Sequence, residues 1–120
     1  MKIDASSHDL VCIQVQQSER TVLLDVMRNL GKQSGSEALL PCDNGVVILR
    51  LVPSGIAINC SDRSAIQIEL SKSECDYLAD AIAEHLADEG GLPLDHSFES
   101  LGAVIVPSEV KDLVIETIVE

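Results

Sequence analysis

The fold prediction is decided by residues 46–88, which read VVILRLVPSGIAINCSDRSAIQIELSKSECDYLADAIAEHLAD. The first part of this stretch contains three short apolar or alternating runs, at 46–52, 56–60 and 65–70. Alternation of apolar and polar residues is typical of strands that have one face in solvent. Asn44 and Gly45 precede the first run and favour a type I′ hairpin turn there. The stretch therefore predicts three strands in an antiparallel meander.

After residue 70 the spacing of apolar residues changes from two to about 3.6, which indicates a helix. Ser71 and Glu74 fit a capping box, and Leu70 and Cys75 are placed to form the hydrophobic staple around it. Gly90 supplies a stop. The apolar stripe of this helix comprises Cys75, Leu78, Ala79, Ile82, Ala83 and Leu86. We expect the stripe to pack against the apolar face of the three strands.

The residues before this stretch predict a strand, a helix and a short edge strand. Residues 9–17 alternate, and the polar residues near both ends favour an edge position. Ser18 can cap a helix that Gly31 closes. Its apolar residues recur at helical spacing, at Leu23, Val26, Met27 and Leu30. The alternative that residues 20–30 form a strand stays open, whereas Pro41 restricts the three residues before it to an edge strand.

The C-terminal residues predict one more strand and one more helix. Residues 103–106 are apolar and end at Pro107, which indicates a short buried strand. Ser108 can then cap a last helix. Apolar residues recur at helical spacing within it, at Val110, Leu113, Val114, Thr117 and Ile118. The β-branched content of residues 109–119 leaves a strand as the alternative.

Together these elements predict a single α+β domain spanning residues 1–120. The fold would be a mostly antiparallel sheet of about five strands with two or three helices on one face. The opposite sheet face would be exposed or would pair with a second copy, because it mixes small and polar residues: Ala57, Asn59, Gln67 and Glu69. Arg50 shares a face with Val46, Ile48 and Val52. It could emerge at the rim, pair with an acid such as Glu69, or stand on a self-association face.

The cysteine pattern and the hydropathy predict a cytoplasmic protein. Four cysteines, at positions 12, 42, 60 and 75, form no C-x-x-C or Cys/His cluster. We expect buried free thiols in a reducing compartment, against the alternative of two disulfides. The N-terminus has no apolar targeting segment, and no run approaches the ~18 apolar residues that would suggest a membrane span.

Negative charge is concentrated in the second part of the chain. Residues 1–68 carry 7 acids and 6 bases, whereas residues 69–120 carry 13 acids against only Lys72 and Lys111. The two parts therefore contribute −1 and −11 to a net charge of −12. A negative field of this kind repels phosphates and anionic lipids, so we expect no direct binding to nucleic acid or to a membrane.

The candidate binding residues are acids on the two predicted C-terminal helices. Four of them, Asp76, Asp80, Glu84 and Asp88, stand four residues apart and would form one file on the solvent side of the best-supported helix. Three more, Glu109, Asp112 and Glu116, would face outward from the last helix. Each like-charge pair at this spacing costs about 0.2–0.5 kcal/mol, so the file offsets much of the gain of about 1 kcal/mol from the Ser71 cap.

Two interpretations of these acids are kept open. One is a solvated face that keeps the protein soluble, and the other is a surface that binds a basic partner. A metal site is not expected, because single carboxylates along a helix lack the convergent loop geometry of a calcium site.

No motif predicts catalysis or a cofactor. Residues 92–100 form a long connection that contains Asp95, His96 and Ser97. These are the residue types of a hydrolase triad, but a triad is assembled in space and not from neighbours in sequence. A simpler interpretation is that Leu92, Leu94 and Phe98 hold the connection over one end of the core. No phosphate-binding, dinucleotide-binding or zinc-binding motif is present.

The sequence therefore favours a small, acidic, non-catalytic interaction domain that binds a basic surface of a partner protein. In one version the acidic field mimics nucleic acid and inhibits a protein that handles DNA or RNA. The first alternative is a dimeric chaperone or adaptor that holds a client segment. The second is a small enzyme that uses the 92–100 connection.

Overall fold

The computed structural model describes residues 1–7, 9–30, 37–87, 95–98 and 101–118. These residues form nine strands, two α-helices and one 3-10 turn. In chain order they are β1 (Lys2–Asp4), β2 (Leu10–Gln16), the 3-10 turn (Gln17–Glu19), α1 (Arg20–Leu30), β3 (Glu37–Cys42), β4 (Gly45–Leu51), β5 (Ile56–Asn59), β6 (Ala65–Leu70), α2 (Lys72–Ala87), β7 (Asp95–Ser97), β8 (Val104–Val106) and β9 (Asp112–Ile118). The prediction of an α+β fold is confirmed.

The strands lie in two mixed sheets. Sheet A has the order β1-β2-β9-β7, with β2 and β9 parallel and the outer pairs antiparallel. Sheet B has the order β3-β4-β6-β5-β8, in which β4 with β6 and β5 with β8 are parallel pairs. The expectation of one mostly antiparallel sheet is therefore wrong, although sheet B alone has the five strands that were expected.

The predicted meander is wrong because β6 lies between β4 and β5. β5 and β6 form an antiparallel pair, but β4 pairs with the far side of β6 in a parallel register. Gly45 permits this arrangement, because a Cβ added there would stand only 2.3 Å from the backbone oxygen of Ser64. The next amide, Val46 N–H, donates a hydrogen bond of 2.8 Å to that same oxygen. Because Gly45 has no side chain, the starts of β4 and β6 can lie this close together.

The β3–β4 hairpin joins the two sheets through a side chain. Its loop is Asp43–Asn44, because Cys42 pairs with Gly45. Among the described residues only glycines have positive φ, so the expected type I′ turn is wrong. Instead, Asn44 Oδ1 accepts a hydrogen bond from Ile3 N–H at 2.9 Å, and Asn44 Nδ2 donates to Ile3 O at 2.6 Å. Asn44 thus extends the ladder of the edge strand β1 to the tip of the hairpin.

Sheet A differs from the prediction at both of its central strands. β2 was expected at an edge, but it lies between β1 and β9. Residues 112–118 were expected to be helical, and they form β9, which pairs with β2 along all seven of its residues. Leu113 and Ile115 face the core while Val114 faces outward, so this segment follows a period of two. The β-branched residues favour a strand, and the pairing with β2 decides the conformation.

The predictions of α1 and of the edge strand β3 are confirmed, whereas the expected burial of β8 is wrong. α1 ends at Leu30, and four of its residues that face the core, Leu23, Leu24, Met27 and Leu30, are buried. β3 is the outermost strand of sheet B, as Pro41 required. β8 was expected to be buried, but it is the opposite edge strand, and Val104 is 66% exposed.

One hydrophobic core is shared by the inner faces of both sheets and by both helices. Side chains from both sheets and both helices line a cavity of only about 10 Å³. Phe98, Leu78 of α2 and Ile68 of β6 are among them. This cavity is too small for a ligand. Phe98 is buried, as expected, and its N–H donates to Leu113 O at 3.0 Å. Leu92 and Leu94, which were expected to act with it, lie outside the described residues.

We expect Gly45→Ala to lower the free energy of unfolding by about 3 kcal/mol, because the added Cβ forces the backbones apart and disturbs the Val46–Ser64 hydrogen bond. Gly55→Ala is the control: nothing lies within 4 Å of its added Cβ, and only the positive φ of 80° opposes it. That conformation costs about 1 kcal/mol. Urea titrations measure both values, and equal losses would show that the close approach of Gly45 to Ser64 is not required.

We expect Asn44→Ala to lower the free energy of unfolding by about 1–3 kcal/mol, because the outward N–H and C=O groups of Ile3 both lose a partner. Hydrogen exchange at the Ile3 amide should accelerate in the same variant. Asp43→Ala is the matched control in the same loop, since the Asp43 side chain is exposed and makes no such hydrogen bond. Unchanged exchange at Ile3 in Asn44→Ala would exclude this role for the side chain.

Candidate functional site

The N-terminus of α2 is fixed by the predicted cap. Ser71 Oγ accepts a hydrogen bond from the Glu74 N–H at 3.4 Å and lies 3.2 Å from Ser73 Oγ. Leu70 and Cys75 on either side of the cap are fully buried, as the staple requires. Cys75 Sγ also donates to Met27 O at 3.0 Å, which ties α2 to α1. The cap and this contact fix which side of α2 faces solvent.

Two of the candidate acids lie exposed on that side. Asp76 and Asp80 are one helical turn apart, and Tyr77 between them is 53% exposed. Neither carboxylate forms an ion pair or a hydrogen bond with another described residue. Glu84 belongs to the last turns of α2, and Asp88 lies outside the described residues. We call the exposed patch formed by Asp76, Tyr77 and Asp80 the α2 face.

The other three candidate acids do not continue this file. Glu109 is exposed in the segment before β9, while Asp112 and Glu116 lie on β9, on the outer face of sheet A. The prediction that they face outward from a helix is wrong, because β9 is a strand. Asp112 and Glu116 are half-buried beside Leu10 and Gln14 of the neighbouring strand. The seven acids are therefore divided between α2 and the β9 region.

Ion pairs among the described residues leave the acids of the α2 face unneutralised. The Met1 ammonium binds Glu19 at 2.5 Å, and Arg50 binds Glu37 at 2.8 Å. Both of these acids belong to the nearly neutral first part of the chain. The hydrogen bond from the Met1 ammonium lowers the pKa of Glu19, and the carboxylate also accepts a hydrogen bond from Gln16 N–H. The negative field of residues 69–120 therefore persists at the α2 face.

Arg50 stands on the open face of sheet B, which is one of the alternatives that the sequence left. It pairs with Glu37 across the β3–β4 hairpin, through Nη2 at 2.8 Å and Nε at 3.3 Å. This hydrogen bond and the charge of Glu37 raise the pKa of Arg50. Sequence reasoning named Glu69 and missed Glu37. A hairpin loop of Asp43–Asn44 would have aligned Glu37 with Arg50, so the signal was present in the turn.

None of the four cysteines forms a disulfide. Cys60 and Cys75 are buried, and Cys12 and Cys42 are half-buried. Burial raises the pKa of the Cys75 thiol to about 11, and burial also raises the pKa of Cys42 and of Cys60. A raised pKa keeps a thiol protonated at neutral pH and makes it a poorer nucleophile.

The structure describes only part of the connection at residues 92–100. Within residues 92–100, Asp95–Ser97 form β7 at the edge of sheet A. The parts of the chain that the structure describes contain no group of three acidic, histidine or cysteine side chains arranged to hold a metal.

No helix within the described residues has the length and apolar character needed to cross a bilayer.

Comparison with known proteins identifies no relative. No protein-family model matches the chain, and neither a curated protein nor a solved structure resembles it significantly. The function must therefore be inferred from the surfaces of this chain.

We expect the repulsion between Asp76 and Asp80 to lower the free energy of unfolding. Asp80→Asn should raise the free energy of unfolding by about 0.3 kcal/mol at low salt, because it removes the repulsion with Asp76 one turn away. Asp25→Asn on α1 is the matched control and should lower it by a similar amount, because exposed Asp25 lies three residues before exposed Arg28. Thermal unfolding at two salt concentrations measures both effects, and a destabilising Asp80→Asn would show that Asp80 has a structural role.

Proposed function

We propose that this protein is a non-catalytic interaction domain that binds a basic surface of a partner protein through the α2 face. The observation that carries the proposal is the pair Asp76 and Asp80, which are exposed, one turn apart and without a described cation bonded to either carboxylate. Like charges at this spacing are unfavourable for the helix itself. A cationic surface that binds there relieves their repulsion. Binding therefore offsets the free energy that this repulsion costs the unbound helix.

Tyr77 supports the proposal from its position between the two acids. An aromatic ring that is 53% exposed offers apolar area at the centre of a charged patch. Interfaces commonly combine a central aromatic anchor with a charged rim, since the ring supplies binding energy and the charges supply orientation and a fast association rate. The α2 face is small, so we expect it to be the centre of a larger contact that other acids of residues 69–120 extend.

A nucleic-acid-binding partner fits this surface best. A protein that handles DNA or RNA presents a basic groove that binds phosphates, and Asp76 and Asp80 offer such a groove two neighbouring negative charges on one exposed helix face. In this version the domain occupies the groove and inhibits the partner. Duplex DNA should then compete with the domain for the same partner.

We expect Asp76→Lys/Asp80→Lys to abolish capture of the partner from native lysate. The control is Asp25→Lys/Asp43→Lys, which makes the same change in net charge at two exposed acids of the first part of the chain. Capture by the wild type and by the control should fall steeply as salt is raised from about 0.1 M to about 0.5 M. Circular dichroism checks that both variants are folded.

Two outcomes of this capture experiment would contradict the proposal. If both double variants lose capture to the same degree, net charge alone drives binding and the α2 face has no special role. If captured proteins survive high salt and the Asp76→Lys/Asp80→Lys variant retains them, the proposal is wrong. Release of the partner by added duplex DNA would support the nucleic-acid-mimic version, and indifference to DNA would exclude it.

A further inference from the structure

The register of sheet B defines a second surface, on the side away from the core. Outward-facing side chains from neighbouring strands line up in rows across the sheet. The first row is Glu37, Arg50, Glu69, Ala57 and Val104, the second is Leu39, Ile48, Gln67, Asn59 and Val106, and the third is Pro41, Val46 and Ala65. We call these thirteen residues the outer face of sheet B.

This face is apolar and nearly neutral in a protein that is strongly charged. It carries three of the six large hydrophobic side chains that are exposed in the described part of the chain: Leu39 at 59%, Val104 at 66% and Val106 at 45%. Its charged residues are two acids and one base, so it contributes only −1 of the net −12. Val104 and Val106 lie on the edge strand β8, whereas Leu39 lies on the opposite edge strand β3. The contiguous apolar part of the face adjoins Arg50 and comprises Leu39, Pro41, Val46, Ile48 and Ala65. A contiguous apolar patch of this kind indicates a contact surface.

Arg50 and Glu69 on this face each keep hydrogen-bonding capacity. Arg50 uses Nε and Nη2 for Glu37, which leaves the two N–H groups of Nη1 available. Glu69 is aligned with Arg50 on the adjacent strand, yet its carboxylate accepts no hydrogen bond from a described residue. A hollow of about 210 Å³ opens between Arg50, Gln67 and Glu69. A donor and an acceptor therefore stand side by side, with room for a side chain from outside.

We propose that the outer face of sheet B is the interface of a homodimer, in which two copies stack these sheets about a two-fold axis. Arg50 of each copy then binds Glu69 of the other, so that one contact made twice satisfies both groups. A two-fold interface must be self-complementary, and a face that carries both members of an ion pair among apolar residues meets that condition. The proposal is independent of the α2 face, which stays open in such a dimer.

Charge favours a second copy over a different partner. The inner side of sheet B packs on the core that it shares with both helices, so stacking by outer faces places the two α2 faces on opposite sides of the dimer. Asp76 and Asp80 of the two copies are thereby kept apart, which limits the repulsion between molecules of net charge −12. A basic partner would instead meet Arg50 at the centre of this face.

The size of the face sets the expected strength of the dimer. Pairing Arg50 with Glu69 of the other copy places the two-fold axis between β4 and β6, so that β3, β4, β6 and β5 overlap their counterparts. These strands have 6, 7, 6 and 4 residues, which at about 3.3 Å per residue and about 4.8 Å between strands give a footprint of roughly 360 Å². Stable interfaces bury about 800 Å² per partner, so this one lies toward the weak end. We expect a dissociation constant in the micromolar range, with monomer and dimer exchanging rapidly.

Sedimentation equilibrium of the full chain, at loading concentrations from about 1 μM to about 500 μM, tests the dimer. Arg50→Glu and Glu69→Arg should each weaken self-association at least about tenfold, because like charges then face each other at both contacts. A mixture of the two variants should form a heterodimer about as tight as the wild-type dimer, since opposite charges face each other again. Asp25→Lys, at an exposed acid of α1, is the surface control and should leave the dimer at least as tight.

Recovery of association in the mixture supports the interface. A wild-type chain that remains monomeric throughout the concentration range overturns it, and so does a dimer that neither charge reversal weakens. Loss of association in both variants without recovery in the mixture also overturns the Arg50–Glu69 contact. Circular dichroism of each variant separates these results from unfolding, and capture through the α2 face is measured separately, so the two proposals fail independently.

Discussion

The approach of Gly45 to the Ser64 backbone is the constraint on which the rest of the structure depends. A side chain at position 45 would prevent the hydrogen bond from Val46 N–H to Ser64 O, and that bond aligns the start of β4 with the start of β6. At the other end of the pair, Val52 N–H donates to Leu70 O at 3.0 Å. With both ends fixed, β6 becomes the central strand of sheet B, and its three core-facing residues are almost completely buried.

This placement of β6 separates two surfaces of different character. One side of sheet B belongs to the core, beyond which α2 presents Asp76 and Asp80 to solvent. The other side is open, nearly neutral and rich in exposed apolar residues. The strongly charged surface suits a cationic partner, since it has no attraction for itself. The open sheet face has the opposite properties, and self-association is the use that fits it. The two proposed contacts would therefore use different surfaces and would not compete.

Several local signals in the sequence predicted local structure correctly, whereas the pairing of strands was predicted poorly. The Ser71 cap, the stripe of α2 and the edge position of Pro41 follow from side-chain chemistry within a few residues. The order of strands depends on contacts distant in sequence, such as Gly45 with Ser64, which no periodicity encodes. Residues 112–118 carry both a helical and an alternating pattern, and only the partner strand β2 selects between them. For the same reason Asp76 and Asp80 of α2 were placed correctly, whereas Asp112 and Glu116 of β9 were not.

The central position of β6 can be measured directly by nuclear Overhauser effects between backbone protons. With β4 parallel to β6, we expect contacts between the backbone of Leu49 and that of Ile68, which are paired in this register. A meander would instead bring Leu49 beside Ile58 on β5. Contacts from Leu49 to Ile68 and none to Ile58 would support the strand order from which both surfaces follow. Contacts from Leu49 to Ile58 would contradict it, and with it the alignment of Arg50 with Glu69.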